Sequence, residues 1–315
     1  MFPEGCARVS DAVVRREPLS GGTYNTVTRV TLQDGSEWVV KVPPPAGTPR
    51  LRYEHGLLYG EAVYFGAAAA VSAPVPEVVQ AEFGGAEPFL AMSALPGVPW
   101  HQAGPLTDQE RGSLRRELGR LVGRAHTVAG PGFGYPGEPW GPLVPTWREA
   151  FTAMTDAVLD DAERYGARLP LPVDHIRKVL AGSADVLDEV SRPALVHFDL
   201  WEGNILVDGA PGARGIGGII DGERMFWGDP VADFVSLALF GDIEDDKDFL
   251  AGYGETGGPL AFDASVRRRL ALYRGYLHLI MLVEVVPRVY PPEQVEWAAR
   301  EVAPRLTEAL GALSG

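Results

Sequence analysis

Cysteine is all but missing. Of 315 residues only Cys6 is one, which excludes an internal disulfide and any cysteine-built zinc site. Lysine is nearly as scarce, at Lys41, Lys178 and Lys247, and the net charge is −14. No long basic run is present, so the footprint of a protein that neutralises nucleic-acid phosphates is absent, and no nucleic-acid partner is expected. No apolar run reaches the roughly 20 residues that span a bilayer. The opening MFPEGCARVSDAVVRRE also lacks the basic-then-apolar order of a signal peptide. A cytoplasmic protein without a membrane partner is the expectation. Repeats and low-complexity tails are missing too. What remains, 46% hydrophobic and 22% charged residues, is ordinary for a globular chain with ample core. The acidity serves solubility, or sets up a field that attracts a cationic substrate.

The chemistry concentrates in Ala194 to Glu223, ALVHFDLWEGNILVDGAPGARGIGGIIDGE. It reads as an apolar strand, a loop, a short strand, a Gly-rich turn and a second strand. The loop carries His197, Asp199 and Asn204, and the second strand runs through Ile219 and Ile220 to Asp221. Two carboxylates and a carboxamide on loops at strand ends can deprotonate a hydroxyl and hold Mg²⁺. The spacing H-x-D-x-x-x-x-N agrees with the kinase catalytic loop, where the Asp takes the acceptor proton and the Asn holds metal, and I-I-D stands where the metal-binding Asp of the D-F-G motif stands. GAPGARGIGG is read as a hairpin turn, because a phosphate-binding Gly loop needs a helix N-terminus after it.

Upstream, VVRREPL, NTVTRVTL and SEWVVKV predict an antiparallel sheet, with QDGS as one hairpin turn. Between the first two strands, Ser20, Gly21, Gly22 and Thr23 form a loop whose glycines let backbone N–H groups approach a phosphate. Alternation in the third strand puts Trp38, Val40 and Val42 on one face and Val39 and Lys41 on the other. A helix is expected from Leu51 to Val71, with Glu54 and Glu61 on nearly the same face as alternative partners for Lys41. Two further strands end in PFLAMSALPG. From Thr107, whose capping box with Glu110 opens a helix to about Val128, the pattern turns helical. Further helices are expected near 146–165, 172–190, 230–240, 245–252, 264–289 and 292–313.

These residues resemble the aminoglycoside phosphotransferase family, a branch of the protein-kinase-like fold, over roughly residues 15 to 290. VHFDLWEGNILVD, GIIDGE and WGDPVADF carry the resemblance, and DLWEGN is also similar to the fructosamine-kinase branch. It implies an α+β, bilobal fold. An antiparallel-sheet lobe, residues 1–95, would bind the nucleotide, and a mostly helical lobe, residues 96–315, would hold the catalytic loop and the acceptor. ATP or GTP is the implied phosphoryl donor and Mg²⁺ the cofactor. The resemblance makes Asp199 the base and Asn204 and Asp221 the metal ligands. Lys41 becomes the phosphate contact and Glu61, not Glu54, its partner. Asp229 and Asp233 would brace the loop, and adenine would meet the backbone near Met92, Ser93 and Leu95. One departure is Phe198, which stands where the family usually has Gly.

The implied reaction is phosphorylation of a hydroxyl on an aminoglycoside or other antibiotic. A metabolite kinase for a fructosamine, amino alcohol or sugar is the alternative, and a non-catalytic binding protein a third reading. No peptide platform closed by A-P-E follows Asp221, so a small hydroxylated acceptor is expected rather than a protein. For a cationic acceptor the candidate contacts are Asp156, Asp160, Asp161, Glu223, Glu284 and the run Gly241 to Asp248. Glu284 lies in an apolar helical stretch and must face a cleft or pair with a cation such as Arg288. A monomer or homodimer is expected.

Overall fold

The computed structural model describes residues 12–19, 24–258 and 260–314. A five-stranded antiparallel sheet comes first: β1 (Val13–Leu19), β2 (Thr26–Leu32), β3 (Glu37–Val42), β4 (Val78–Glu82) and β5 (Phe89–Ser93), in the order β1-β2-β3-β5-β4. The β2–β3 turn follows from Asp34 accepting from Ser36 N–H and from Gly35 at φ +85°. One sheet face packs Val30, Leu32, Val40, Phe89 and Ala91 with Trp38 and Val42. The other face sends Val39 and Lys41 toward helix α1 (Leu57–Ala69).

Helix α1 is shorter than expected. Glu54 Oε2 accepts from Leu51 N–H at 2.6 Å, closing a separate 3₁₀ turn over Arg52–Glu54, and the chain enters α1 only after Gly56. Glu54 and Glu61 therefore do not share a helix face.

Strand β6 (Val98–Pro99) leads into α2 (Asp108–Ala125), which Thr107 and Glu110 cap reciprocally. Its stripe Leu114, Leu118, Leu121, Val122 and Ala125 is buried. Gly119 and Gly252 let α2 lie directly against α6 (Lys247–Thr256): a Cβ on either would overlap backbone of the other helix. Next come α3 (Trp147–Tyr165), ended by Gly166 at φ +63°, and α4 (Val173–Gly182), which breaks into a 3₁₀ turn at Ala184. Short strands β7 (Ala194–Val196), β8 (Ile205–Asp208), β9 (Gly215–Ile219) and β10 (Phe226–Gly228) frame the catalytic loop, pairing as β6-β8-β9 and β10-β7. Within GAPGARGIGG only Gly209 to Arg214 form the β8–β9 turn; Gly215 to Gly218 already pair as β9, which ends at Ile219.

Helix α5 (Asp233–Leu237) follows a 3₁₀ turn at Pro230–Ala232, and α7 (Ala264–Val283) ends at Glu284 rather than near 289. The terminal helix is divided into α8 (Pro292–Trp297), a π turn over Ala298–Val302 and α9 (Ala303–Leu313). One apolar core runs across the expected boundary at 95/96, joining Leu57, Tyr64 and Met92 to Leu118, Phe226 and Ile280.

Candidate active site

The loop after β7 is built from buried polar contacts. Asp233, at the start of α5, accepts from the N–H groups of His197 (3.1 Å) and Phe198 (2.6 Å) and meets His126 Nε2 at 2.9 Å. Ser236 Oγ takes the N–H of Leu200 at 2.9 Å. His197 Nδ1 accepts from Asp199 N–H at 3.2 Å, so its protonated Nε2 faces the Ile220 carbonyl at 3.0 Å. The imidazole thus ties the Asp199 loop to the Asp221 turn. Asp229 caps Val231 N–H and holds Arg269 (2.6 Å) and Tyr273 (2.7 Å), bracing α7 rather than the loop itself.

Phe198 sits at φ +63°, a conformation that suits glycine, with its ring fully buried against Phe226 (5.1 Å) and Tyr276 (5.6 Å). The residue that departs from the family pattern is a packing anchor, and it leaves Asp199 facing the cleft with 22% of its side chain exposed. Burial holds the Asp199 carboxyl above the usual carboxylate range, and Arg224 pulls it back down.

Across the cleft Lys41 Nζ meets Glu61 Oε1 at 2.7 Å, contacts Asp221, and lies 3.6 Å from Glu223. Burial alone would lower the lysine's pKa. The three carboxylates outweigh it and raise the pKa well above the ordinary value. Lys41 likewise outweighs burial at Asp221, whose pKa is depressed, whereas burial raises those of Glu61 and Glu223. Asp221, at φ +64°, is aimed by the turn that ends β9.

The donor set fits a hard cation. Asn204 gives its amide N–H groups to Asp199, at 2.8 Å to the backbone oxygen and 3.1 Å to Oδ2. Its Oδ1 makes no hydrogen bond among the described residues. Ile220 N–H bonds the Asn204 carbonyl at 3.0 Å, bringing the two segments together. Oxygens of Glu61, Asp221 and Glu223 lie within 4.8 Å of one another. Oxygen-only ligands of this kind suit Mg²⁺.

Of the other expected site residues, some are engaged elsewhere in the fold. Ser20, Gly21, Gly22 and Thr23 lie outside the described residues. Met92 is flanked by β3 and β4, and Ser93 N–H bonds the Glu77 carbonyl, so sheet pairing takes up Met92 and the N–H of Ser93. Leu95 keeps a backbone free of hydrogen bonds among the described residues. Asp160 and Asp156 pair with Arg177, and Asp161 is buried, accepting from Arg52 N–H at 2.6 Å. Glu223 belongs to the Lys41 cluster, where Asn25 donates to it at 2.7 Å, rather than to an acceptor wall. Glu284 lies 3.4 Å from Arg288 as helical spacing allowed, but Arg224 is closer at 3.1 Å. Glu54, rejected as the Lys41 partner, holds Arg288 instead, with Nε at 2.7 Å.

Sequence reasoning missed Arg224. It lies three residues after Asp221, with Nε 3.9 Å from Asp199 Oδ2 and its guanidinium 5.9 Å from the Tyr53 ring centroid. The signal was present: an arginine just past the metal-type Asp, and a glutamate in α7 that needed a cation.

An antiparallel sheet, a Lys–Glu pair joining it to its helix, and a helical region holding the H-x-D-x-x-x-x-N loop make this the protein-kinase-like fold. The profile of the phosphotransferase enzyme family matches residues 15–273, and the chain belongs to that family. Among solved structures it is similar to a Thermobifida fusca protein assigned as a fructosamine-3-kinase (24% identity, 98% of each chain, TM-score 0.67). It is also similar to aminoglycoside phosphotransferase APH(4)-Ia in complex with AMP-PNP and hygromycin B (17% identity, 100% of this chain and 99% of that one, TM-score 0.67). A third likeness is to macrolide 2′-phosphotransferase MphH from Brachybacterium faecium (19% identity, 96% and 97%, TM-score 0.59). A Vibrio vulnificus protein assigned as a ketoamine kinase is 32% identical over 98 residues, a segment covering 31% of this chain and 30% of that protein. No described helix is long and apolar enough to cross a membrane.

Proposed function

We propose that this protein transfers the γ-phosphoryl group of ATP, or of GTP, to a hydroxyl of a small molecule. One observation carries the reading. Asp199 projects into the cleft from a loop pinned by Asp233, Ser236 and His197, opposite a buried lysine already paired with Glu61. Asp199 accepts the acceptor hydroxyl's proton as the O–P bond forms and the bond from the γ-phosphorus to its bridging oxygen breaks, releasing the nucleoside diphosphate. Transfer runs through a loose transition state, so positioning and charge neutralisation supply most of the rate. Lys41 is held for the donor phosphates, and the free backbone of Leu95 suits the base edge. Asn204 and Asp221, with Glu223 beside them, would hold Mg²⁺, which supplies charge neutralisation at the donor phosphates.

The aminoglycoside expectation needed free carboxylates. Asp156, Asp160, Asp161 and Glu284 are all engaged by arginines or backbone. In the run 241–248, Asp242, Glu244 and Asp246 meet Arg274, Arg267 and Arg115, leaving Asp245 and Asp248 without an ion pair among the described residues. So few open carboxylates favour the metabolite-kinase reading. The names of the ketoamine- and fructosamine-kinase relatives agree with that direction. A magnesium-dependent assay of nucleoside diphosphate release across hydroxylated acceptors tests the proposal. Asp199→Asn should bind Mg-ATP yet lose about 10²–10⁴-fold in turnover. Turnover near wild type would remove Asp199 as the base.

A further inference from the structure

The turn that carries Asp221 into Arg224 has a residue without a side chain at its most crowded point. A Cβ on Gly222 would stand 2.6 Å from Cδ1 and 2.8 Å from Cγ of Tyr64, well inside van der Waals contact. The backbone does not ask for glycine here. Gly222 avoids the left-handed region that Asp221, one residue earlier, adopts at φ +64°. Only glycine fits at 222 because the ring of Tyr64 has taken the space.

Tyr64 comes from helix α1 and is 2% exposed. Its ring meets the imidazole of His197 edge-on, with centroids 4.7 Å apart and planes at 82°. That imidazole accepts from the Asp199 N–H on one side and reaches the Ile220 carbonyl on the other. The ring of Tyr64 therefore touches both sides of the junction at which the Asp199 loop meets the Asp221 turn. Glu61, three residues before Tyr64 and on the same helix face, holds Lys41 at 2.7 Å. Gly60 lies against the turn, where a Cβ would stand 3.5 Å from the Glu223 carbonyl oxygen and 3.6 Å from Met225 Cγ. Helix α1 thus sets three groups relative to one another: Lys41 through Glu61, and His197 and the Asp221 turn through Tyr64.

We propose that Tyr64 is a positioning residue of this site. Its ring fills the space left open at Gly222, steadies the contact between His197 and Ile220, and so keeps Asp221 aimed where it can hold Mg²⁺ beside Lys41. The inference rests on the phosphotransferase reading and adds to it a residue that acts through others.

The test uses the full chain and calorimetry with AMP-PNP, read as the Mg²⁺ concentration that gives half-maximal nucleotide binding. Tyr64→Ala should raise that concentration about tenfold or more, the loss usual when a group behind a metal ligand is removed. Tyr64→Phe keeps the ring and should return it to within about twofold of wild type, the ordinary scatter between independent substitutions. Gly222→Phe should weaken binding on its own, because its side chain runs into Tyr64. The double variant Tyr64→Ala/Gly222→Phe supplies the ring from the turn instead of the helix, and should bind Mg-AMP-PNP better than either single variant. A ring that merely filled the core would lower the melting temperature and leave the Mg²⁺ requirement unmoved. An unmoved requirement in Tyr64→Ala, an equal loss in Tyr64→Phe, or a double variant that binds no better than the single ones overturns the proposal. Should Tyr64→Ala not fold, Tyr64→Leu takes its place in the Mg²⁺ measurement, and an unmoved requirement there overturns the proposal equally. A wild-type chain that neither binds Mg-AMP-PNP nor consumes ATP would instead remove the phosphotransferase reading, and this inference with it.

Discussion

Phe198 combines two costs that pull apart under mutation. Its backbone is left-handed, at φ +63°, which costs a non-glycine residue about 1–2 kcal/mol. Its ring is fully buried between Phe226 and Tyr276, and truncating such a ring to alanine costs about 3–5 kcal/mol. Phe198→Ala loses the packing and keeps the strain. Phe198→Gly loses the same packing but sheds the strain, while its freer unfolded chain takes back about 0.5–1 kcal/mol. Both variants should therefore be clearly destabilised, with glycine the more stable of the two by about 1 kcal/mol, the reverse of the order at an ordinary site. Urea denaturation reads this directly as a difference in midpoint at equal slope. Asp233 bonds the backbone N–H groups of His197 and Phe198, which both variants retain, so Mg-nucleotide affinity should stay near wild type. An alanine variant as stable as the glycine variant would refute the left-handed strain. A loss below about 1 kcal/mol in both would refute the packing role.

Two more outcomes follow from the buried charges. Asp221→Ala should weaken Mg-nucleotide binding and its metal dependence in calorimetry, since it removes a hard oxygen ligand and a partner of Lys41; unchanged affinity would contradict the site. His278 is buried near Arg305 and Arg274, and burial first, then those cations, lower its pKa from 6.5 to about 4. A depressed folded pKa means its stabilisation is complete above the unfolded pKa of about 6.5 and is lost as pH falls toward 4, about 2 kcal/mol by pH 5. His278→Gln should flatten the stability–pH curve by that amount between pH 8 and 5, and an unchanged curve would refute it.

What was legible in the sequence was what neighbouring residues decide. Asp199, Asn204 and Asp221 lie within one short stretch, and strand alternation alone put Lys41 on the face opposite Val40, where Glu61 meets it. The Thr107–Glu110 cap was equally local. The choice between Glu54 and Glu61 was not, because it turned on where α1 begins. The Glu54–Leu51 bond closes a separate turn, and the helix starts at Leu57, so the two glutamates never share a face.

The acceptor wall was illegible for a related reason. Periodicity says which face of a helix a charge occupies, but the partner that meets it is chosen by chain folded in from far away. Glu54 lies 234 residues from Arg288, and Arg224 lies 60 from Glu284. With a net charge of −14, the sequence invites the idea that acidic residues await a cation. In the fold, arginines from other elements reach those carboxylates first. Leaving Glu284 or Glu54 buried and unpaired would cost several kcal/mol, so Arg224 and Arg288 are placed where they prevent it. The excess of negative charge across the whole chain therefore says little about the few ångströms around Asp199, where arginines already meet the neighbouring carboxylates.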